Sequence, residues 1–446
     1  MLRYLLIISV MFSFSLSFAK NIKQDDGDVI KLDLNKAIEF AIKNNEDLKI
    51  AKYNKQIADE QLNEAWGSAV FPEIKGSVNY RRSLKKGVMT FDTPLFSGQF
   101  PIGTDNTMTA SLSLDQPLFT GALFIAIRVA KTYTEIAGKI YDASKGEIFV
   151  NVQKAYYGYL LSREVLKLSE QNLQLAENNL KDTETMWNAG MVSEYDFVRA
   201  KVQVQNLVPE VEQAENTLQL SENLLKLITG IDYSQNIEIS DSFSYKELQT
   251  GDKDAYLNEL LTRNHTLKQL ELEEKLRDDV VSARFATHFP SLYAYGSWQA
   301  EAQENDSRSF NKWRYMNSST VGLNLKIPIF NGFQTTAQVQ QAKLDYKISA
   351  ENYSKTKKAL RNHLQESLLN LQNNKSKVTA YGASIDQAKL AYDIAQKRFN
   401  SGVGTQLEIV DAMVALTRSK VNYFNGIYEY FISYAKLQQL LGIETL

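Results

Sequence analysis

The sequence predicts a mostly α-helical protein with a small β part, built from one unit that occurs twice along the chain. Alternating strand-like runs end at the motifs 116–121 (QPLFTG) and 327–332 (IPIFNG). Each motif is followed by a polar run of about seventy residues without proline, which indicates a very long helix. A shift of 211 positions (328 minus 117) places the second motif on the first, so the two halves share one pattern.

The amino terminus has the form of a secretory signal peptide. Arg3 precedes an apolar run from Leu5 to Phe18, and the small residues around Ala19 form a cleavage site. Residues 1–19 are therefore predicted to be removed, and the mature protein to be exported. No later run reaches the length of about eighteen apolar residues that a transmembrane helix needs, so none is predicted.

The composition excludes several classes of site. The net charge of −2 gives no polybasic surface for nucleic acid. The chain has no cysteine, which excludes disulfides, thiolate metal sites and cysteine nucleophiles. His265, His288 and His363 lack metal-ligand spacing, and no phosphate loop or nucleophile motif is present. No enzyme activity, cofactor or metal site is predicted.

The predicted domain order is the same in both repeats: helix, β-hairpin, long helix, short helix. The repeats span 20–230 and 254–446, and the polar linker 231–253 is expected to pack around the middle of the molecule. The hairpins are predicted at 72–117 and 290–328, the long helices at 119–188 and 332–400, and the short helices at 194–228 and 406–441. Single helices are predicted at 32–70 and 254–286, a loop at 81–106 and a helix kink at Pro209.

The strand before the first motif alternates cleanly. Ala110, Leu112 and Leu114 fall on one face, and serines fall on the other. A water-lined transmembrane β-barrel requires this pattern, whereas an edge hairpin of a soluble sheet is the alternative. Four strands per chain cannot close a barrel, so the chain is expected to oligomerise. Two copies would supply eight strands (two times four) and three would supply twelve, and a pore favours three.

The long helices carry a seven-residue repeat. Leu166, Leu173, Leu180 and Trp187 recur at this spacing, and the second half repeats the pattern. Such a repeat indicates coiled-coil packing. Taken alone, it is typical of an exported coiled-coil structural or adhesion protein without a pore, which is the alternative function.

The paired motifs resemble those of the TolC-type outer-membrane efflux family over essentially the whole mature chain. The resemblance rests on the two strand-to-helix motifs and on two later aromatic-Asn-x-Gly turns, 187–190 and 399–402, which are followed by Asp196 and Glu408. It implies a TolC-like homotrimer in the outer membrane of a Gram-negative bacterium, with a twelve-stranded transmembrane β-barrel that continues into an α-helical tunnel across the periplasm.

The same resemblance implies the function and the partners. The protein would be a passive exit duct of a tripartite efflux pump or a type I secretion system. It would contact outer membrane lipid, a periplasmic adaptor (membrane fusion protein) and, through the adaptor, an inner-membrane transporter that supplies the energy. The cargo does not follow from the sequence.

Two sets of residues mark the turns and the junctions. By position, the resemblance implies adaptor contact at the two helix-turn-helix tips: Ala189, Gly190, Met191, Val192, Ser193, Ser401, Gly402, Val403, Gly404 and Thr405. Glycine and Ser or Thr also suit a plain helix end followed by a capped helix, so both roles stay open. The strand–helix junctions are Pro72, Pro117, Gly121, Pro290, Pro328 and Gly332.

Two acidic residues follow the second tip. Glu408 and Asp411 are three positions apart and share one helix face. In the family resembled, acidic residues here ring the periplasmic entrance and favour cations; an ordinary solvated helix face is the alternative. Some relatives place Tyr and Arg around this turn, where this chain has Phe399 and Gly404, so the closing contacts are expected to differ.

Aromatic residues are concentrated in the hairpin regions. Tyr80, Tyr293, Tyr295, Trp298 and Trp313 are candidates either for interfacial girdles or for plain sheet packing. Phe91, Phe96 and Phe100 make the predicted loop 81–106 apolar, and folding inward and packing on neighbours stay open as alternatives for it.

Overall fold

The computed structural model describes residues 29–94, 96–248 and 251–443, and the predicted signal peptide at 1–19 lies outside them. The helices are α1 (Leu34–Asn44), α2 (Glu46–Val70), α3 (Leu123–Asn188), α4 (Glu194–Thr229), α5 (Lys253–Arg263), α6 (His265–Ala286), α7 (Gln334–Asn400) and α8 (Gln406–Leu441). The strands are β1 (Ile30–Lys31), β2 (Glu73–Arg82), β3 (Gly87–Thr93), β4 (Phe96–Ile102), β5 (Asn106–Phe119), β6 (Ile237–Glu238), β7 (Ser291–Glu304) and β8 (Met316–Lys326).

Two very long helices run through the molecule. α3 has 66 residues and α7 has 67, so each spans about 100 Å at 1.5 Å per residue. α4 packs along the half of α3 that lies away from the sheet, and α8 packs in the same way along α7. α2 and α6 pack along the other halves. Pro209 lies inside α4, which continues to Thr229, and Leu207 and Ala214 on either side of it are buried; the kink at Pro209 stays a prediction.

The first repeat contains a junction where short helices meet end to end. The side chain of Asn45 accepts a hydrogen bond from Leu48 N at 3.1 Å and donates one to Ile228 O, at the end of α4, at 3.0 Å. Gly230, with φ of 67°, approaches so closely that an added Cβ would lie 2.7 Å from the Cβ of Asn44. One buried amide therefore caps α2 and ties it to α4.

The second repeat builds the same junction from Asn264. Its side chain accepts from Leu267 N at 2.9 Å and donates to Leu440 O, at the end of α8, at 2.8 Å. Gly442, with φ of 71°, would place a Cβ 2.6 Å from the carbonyl oxygen of Arg263. The duplication therefore extends to the atoms of this contact.

These junctions correct two predictions. The helices predicted as continuous at 32–70 and 254–286 are each broken, at Asn45 and at Asn264. Apolar helical spacing runs across both breaks, but the side chain at the break supplies an N-cap bond and starts a new helix in a new direction.

The sheet has the order β2-β5-β7-β8, and all its pairs are antiparallel. Side chains alternate between its two faces along each strand. One face carries Ile74, Val78, Leu112, Leu114, Trp298, Val321, Leu323 and Leu325. The other carries Lys75, Ser77, Ser111, Ser113, Ser297, Gln299, Ser318 and Thr320. Most of the apolar face is uncovered in the single chain, since Val321 is 87% and Leu323 is 68% exposed, whereas Ala300 and Ala302 at one end are buried.

The segment predicted as a loop at 81–106 contains a second hairpin. β3 and β4 pair antiparallel from Gly87 opposite Ile102 to Thr93 opposite Phe96. The rings of Phe96 and Phe100 stack with centroids 5.5 Å apart. The loop prediction was wrong because glycine and proline outweighed a short alternation of apolar and polar residues in that interpretation.

The largest hydrophobic core lies at the middle of the long helices, where part of the linker 231–253 packs. The Tyr156 hydroxyl donates to the Asp241 carboxylate, and Arg163 Nη1 donates to Ile239 O at 2.6 Å. Burial, with a smaller contribution from the Asp241 charge, raises the pKa of Tyr157 to about 12. β1 pairs in parallel with β6 in this region and ties the start of the described chain to the linker.

Candidate functional site

The first tip joins α3 to α4. Gly190 has φ of 72°, and Met191 N donates to Met186 O at 2.8 Å to close the helix end. Ser193 then caps α4 by accepting from Asp196 N at 3.2 Å, while Asp196 Oδ2 accepts from Ser193 N at 3.3 Å. The Asp196 carboxylate is therefore bound within a capping box, a reciprocal pair of helix-start bonds.

The second tip joins α7 to α8 with similar backbone geometry. Gly402 has φ of 73°, and Thr405 Oγ1 accepts from Glu408 N at 3.3 Å. Val403 projects from the turn and is 69% exposed, which matches Met191, at 70%, in the first tip. The two tips thus present equivalent exposed apolar side chains at the end of the helical region.

Arg398 distinguishes the second tip. Its Nε lies 3.3 Å from Glu408 Oε2, and its Nη2 donates to Val403 O at 3.4 Å. Asp411, one turn beyond Glu408, is exposed, and its carboxylate has no ion pair or hydrogen bond among the described residues. Glu408 and Asp411 are therefore near each other but differ in charge environment.

The core beneath this turn holds an unusual polar group. Gln406 is fully buried, and neither atom of its side-chain amide has a hydrogen-bond partner in the described part of the chain. Phe399 is also buried, at 4% exposure, among the apolar residues that join α7 to α8. A buried amide without partners costs about 1–3 kcal/mol, so this tip is less stable than its apolar packing alone would make it.

The two junction glycines occupy equivalent positions for different reasons. At Gly121 an added Cβ would lie 2.6 Å from the carbonyl oxygen of Ala286, so close packing requires the glycine. At Gly332 the space is open, but φ is 64°, and Phe333 beside it also has a positive φ of 63°. Left-handed backbone at a residue with a side chain costs about 1–2 kcal/mol.

The prolines at the junctions lie near the ends of strands. Pro72, Pro290 and Pro328 fall in the short connections between a helix and a strand. Pro117 instead lies inside β5, beside a register shift that extends to Phe119. A shift of this kind accommodates the missing proline N–H near a strand end.

The sheet separates the predicted girdle residues. Tyr80 and Trp298 lie on the apolar face, and Tyr80 stacks with Trp313 at 6.3 Å. Tyr293 and Tyr295 lie on the polar face, so a girdle role for them is not supported by the register.

Other types of site are missing from the parts of the chain that the structure describes. No cluster of three or more His, Cys, Asp or Glu side chains is placed to hold a metal ion there. None of the helices in these ranges is both long enough and apolar enough to cross a bilayer.

The sequence matches the family described as outer membrane efflux protein over residues 37–231 and 256–443. The chain belongs to this family. It is 23% identical over 346 residues to the outer membrane protein TolC of Vibrio cholerae, covering 78% of this chain and 79% of that protein. It is 21% identical to the alkaline protease secretion protein AprF of Pseudomonas aeruginosa, covering 86% of this chain and 79% of that protein.

Solved structures of outer membrane channels show the same fold. The Campylobacter jejuni CmeC outer membrane channel is similar with a TM-score of 0.72 and 19% identity, covering 92% of this chain and 85% of that one. The structure of CusC is similar with a TM-score of 0.73 and 18% identity, covering 95% and 96%.

Family and fold together confirm the predicted resemblance to TolC-type proteins. This outer membrane efflux protein is an efflux or secretion channel of the outer membrane that extends into the periplasm, and not an enzyme. The alternative of a coiled-coil protein without a pore finds no support in the comparisons.

Proposed function

We propose that this outer membrane efflux protein acts as a homotrimer that forms the passive exit duct of a tripartite efflux pump or a type I secretion system. The observation that carries the trimer is the sheet itself. It has one largely uncovered apolar face, one polar face, and free edges at β2 and β8. Free strand edges are not tolerated in lipid, so they must pair with other copies of the chain.

Three copies satisfy this requirement. Pairing β2 of one chain with β8 of the next closes a barrel of twelve strands (three times four). A barrel of that size leaves an aqueous bore, whereas eight strands leave an interior that side chains nearly fill. The apolar face then contacts lipid, and the polar face lines the bore.

Aromatic residues at both ends of the sheet support a membrane-spanning barrel. At one end Tyr80 stacks with Trp313. At the other end, near the strand–helix junctions, Phe71, Phe119, Phe289 and Phe330 are 68%, 51%, 52% and 75% exposed. Two aromatic bands that flank an apolar band are typical of the membrane–water interfaces of outer membrane barrels.

The tips are proposed to contact the periplasmic adaptor, which connects the duct to an inner-membrane transporter. The support is the family resemblance together with the exposed Met191 and Val403, which lie at the farthest point from the sheet. A partner that covered the tips would remove these two apolar side chains from water, which favours association. Glu408 and Asp411, one turn above, are proposed to line the entrance.

Single-channel conductance of the purified protein in a planar bilayer tests the duct, and native mass spectrometry of the same sample tests the trimer. We expect a cation-preferring channel and a mass of three chains. A photo-cross-linking residue at Met191 or Val403 should capture the adaptor in cells, whereas one at Ile57, which is 55% exposed on α2, should not. A monomer without conductance, or equal capture at the three positions, would contradict the proposal.

A further inference from the structure

We infer that Arg398 neutralises Glu408 within each chain, so that of these two acidic residues only Asp411 supplies uncompensated negative charge at the proposed entrance. This inference rests on the proposed function, because it takes the α7–α8 turn to border the pore. It changes the expected electrostatics of the entrance, since only one of two neighbouring carboxylates per chain then attracts cations.

The position of Arg398 is set by both its backbone and its side chain. Its carbonyl oxygen accepts hydrogen bonds from Val403 N and Gly404 N, each at 3.1 Å. Its guanidinium returns across the same turn, with Nη2 donating to Val403 O at 3.4 Å and Nε lying 3.3 Å from Glu408 Oε2. The turn is therefore wrapped around this residue, and the ion pair joins the end of α7 to the start of α8.

Gly404 makes this wrapping sterically feasible. An added Cβ at this position would lie 2.8 Å from Phe399 N and 3.0 Å from the Cβ of Arg398. Such contacts involve backbone and the base of a side chain, which cannot move away cheaply. The glycine thus lets the chain return close enough for the guanidinium to reach Glu408.

The first tip shows that the pairing is specific to the second. A shift of 212 positions places Met186 on Arg398 and Asp196 on Glu408 (398 minus 186, and 408 minus 196). Methionine carries no charge, and the Asp196 carboxylate is used instead by the amide and hydroxyl of Ser193. Both repeats therefore have a carboxylate at the position of Glu408, but only the second has an arginine at the position of Arg398.

The charge difference has a direct physical consequence. Glu408 with Arg398 forms a dipole, whose field falls faster with distance than that of a single charge, while Asp411 remains a full charge. In water, one charge at roughly 10 Å from a monovalent cation attracts it by about 0.4 kcal/mol, which raises its local concentration about twofold before salt screening. Three such charges, one from each chain of a trimer, raise it about eightfold.

The test is the reversal potential of the reconstituted channel in a potassium chloride gradient. Arg398→Gln should raise the cation preference about twofold to eightfold, because Glu408 is then unpaired. Glu408→Gln should lower it, because the arginine charge is then unpaired. The double variant, Arg398→Gln with Glu408→Gln, should have the cation preference of the native channel. Asp411→Asn should lose most of that preference.

Lys397→Gln is the matched control. It removes the same charge from the adjacent position, and Lys397 has no carboxylate partner in the described ranges. Its effect on the reversal potential reports the loss of one positive charge, and it should leave the reactivity of Glu408 towards carbodiimide unchanged. A Lys397→Gln variant that changes this reactivity as much as Arg398→Gln does, or a double variant that differs from native, would overturn the inference while leaving the duct intact.

A second measurement detects the ion pair and does not depend on channel conductance. Carbodiimide labelling followed by peptide mass spectrometry should modify Asp411 faster than Glu408 in the native protein, and Arg398→Gln should remove that difference. Equal native rates would overturn the inference. A native oligomer that does not conduct would contradict the proposed function instead, and the labelling rates would still decide on the ion pair.

Discussion

The junction amide of Asn264 gives a prediction whose size follows from two hydrogen bonds. Asn264→Ala removes the cap on α6, a bond to Leu267 N at 2.9 Å, which is worth about 1 kcal/mol. It also leaves the Leu440 carbonyl without the amide that donates to it at 2.8 Å, at a cost of about 1–3 kcal/mol when the site stays dry. The residue is 6% exposed, so water does not readily replace the amide.

We therefore expect Asn264→Ala to destabilise the protein by about 2–4 kcal/mol. Asn264→Ser keeps a cap but not the bond to Leu440, so it should lose only the Leu440 contribution, about 1–3 kcal/mol. The assay is the thermal midpoint of the helical circular dichroism signal of the purified oligomer in detergent. Proteolysis near the junction at a temperature below the midpoint gives a local reading of the same change.

Asn63→Ala is the control for this prediction. Asn63 lies on α2, and within the described ranges its amide bonds only to the exposed carboxylate of Glu60, at 3.1 Å. Asn63→Ala should lower the thermal midpoint by less than about two degrees, because surface substitutions of this kind usually change stability by less than about 0.5 kcal/mol. If Asn264→Ala is no more destabilising than Asn63→Ala, the view that one amide ties the two helices together is wrong.

Three further predictions concern close contacts and pH. Gly230→Ala forces a side chain into left-handed backbone and toward Asn44, so it should cost about 2–4 kcal/mol and lower the thermal midpoint. Gly121→Ala pushes against the Ala286 carbonyl and should cost about 1–3 kcal/mol, read as less heat-modifiable protein in outer membranes. Tyr157 favours its neutral form in the folded state, with pKa raised from 10.0 to about 12. Its contribution is present below pH 10 and lost toward pH 12, so Tyr157→Phe should flatten the fall of the midpoint over that range.

Each of these variants has a matched control. Gly103→Ala is the control for Gly230→Ala. Gly103 has a positive φ but open space around it, so its substitution measures backbone strain without a steric contact. Gly67→Ala has open space and ordinary φ, and it should not be destabilising. Tyr53→Phe removes a phenol that is 59% exposed, and it should leave the alkaline fall unchanged. A control that matches its test variant would refute the corresponding reasoning.

Much of the architecture was predictable because the chain carries its strongest patterns twice. The strand-to-helix motifs predict where the strands end, and the long polar runs predict the long helices. Because both patterns occur in each half of the chain, each half supports the prediction made for the other. The strand alternation around Leu112 and Leu114 also predicted the two-faced sheet, because side-chain parity depends only on local sequence.

The features that sequence reasoning missed depend on contacts between distant parts of the chain. An Asn followed three residues later by Leu occurs at both Asn45 and Asn264, and this cap pattern was available. Its weight becomes clear only when the amide is seen to reach Ile228 or Leu440. The tip charge was missed for a similar reason: Arg398 and Glu408 are ten positions apart, and only the turn between them brings them together (408 minus 398).

The end-to-end junctions divide the helices of each chain into two mechanical kinds. α3 and α7 are continuous beams, in which a rotation at the tip is carried along an unbroken hydrogen-bonded backbone. The shorter helices are jointed columns, since no backbone hydrogen-bond ladder crosses the breaks at Asn45 and Asn264. Torque applied at the tips is therefore carried by the beams, whereas a change of angle within a column requires the buried amide of Asn45 or Asn264 to give up its bonds across the joint.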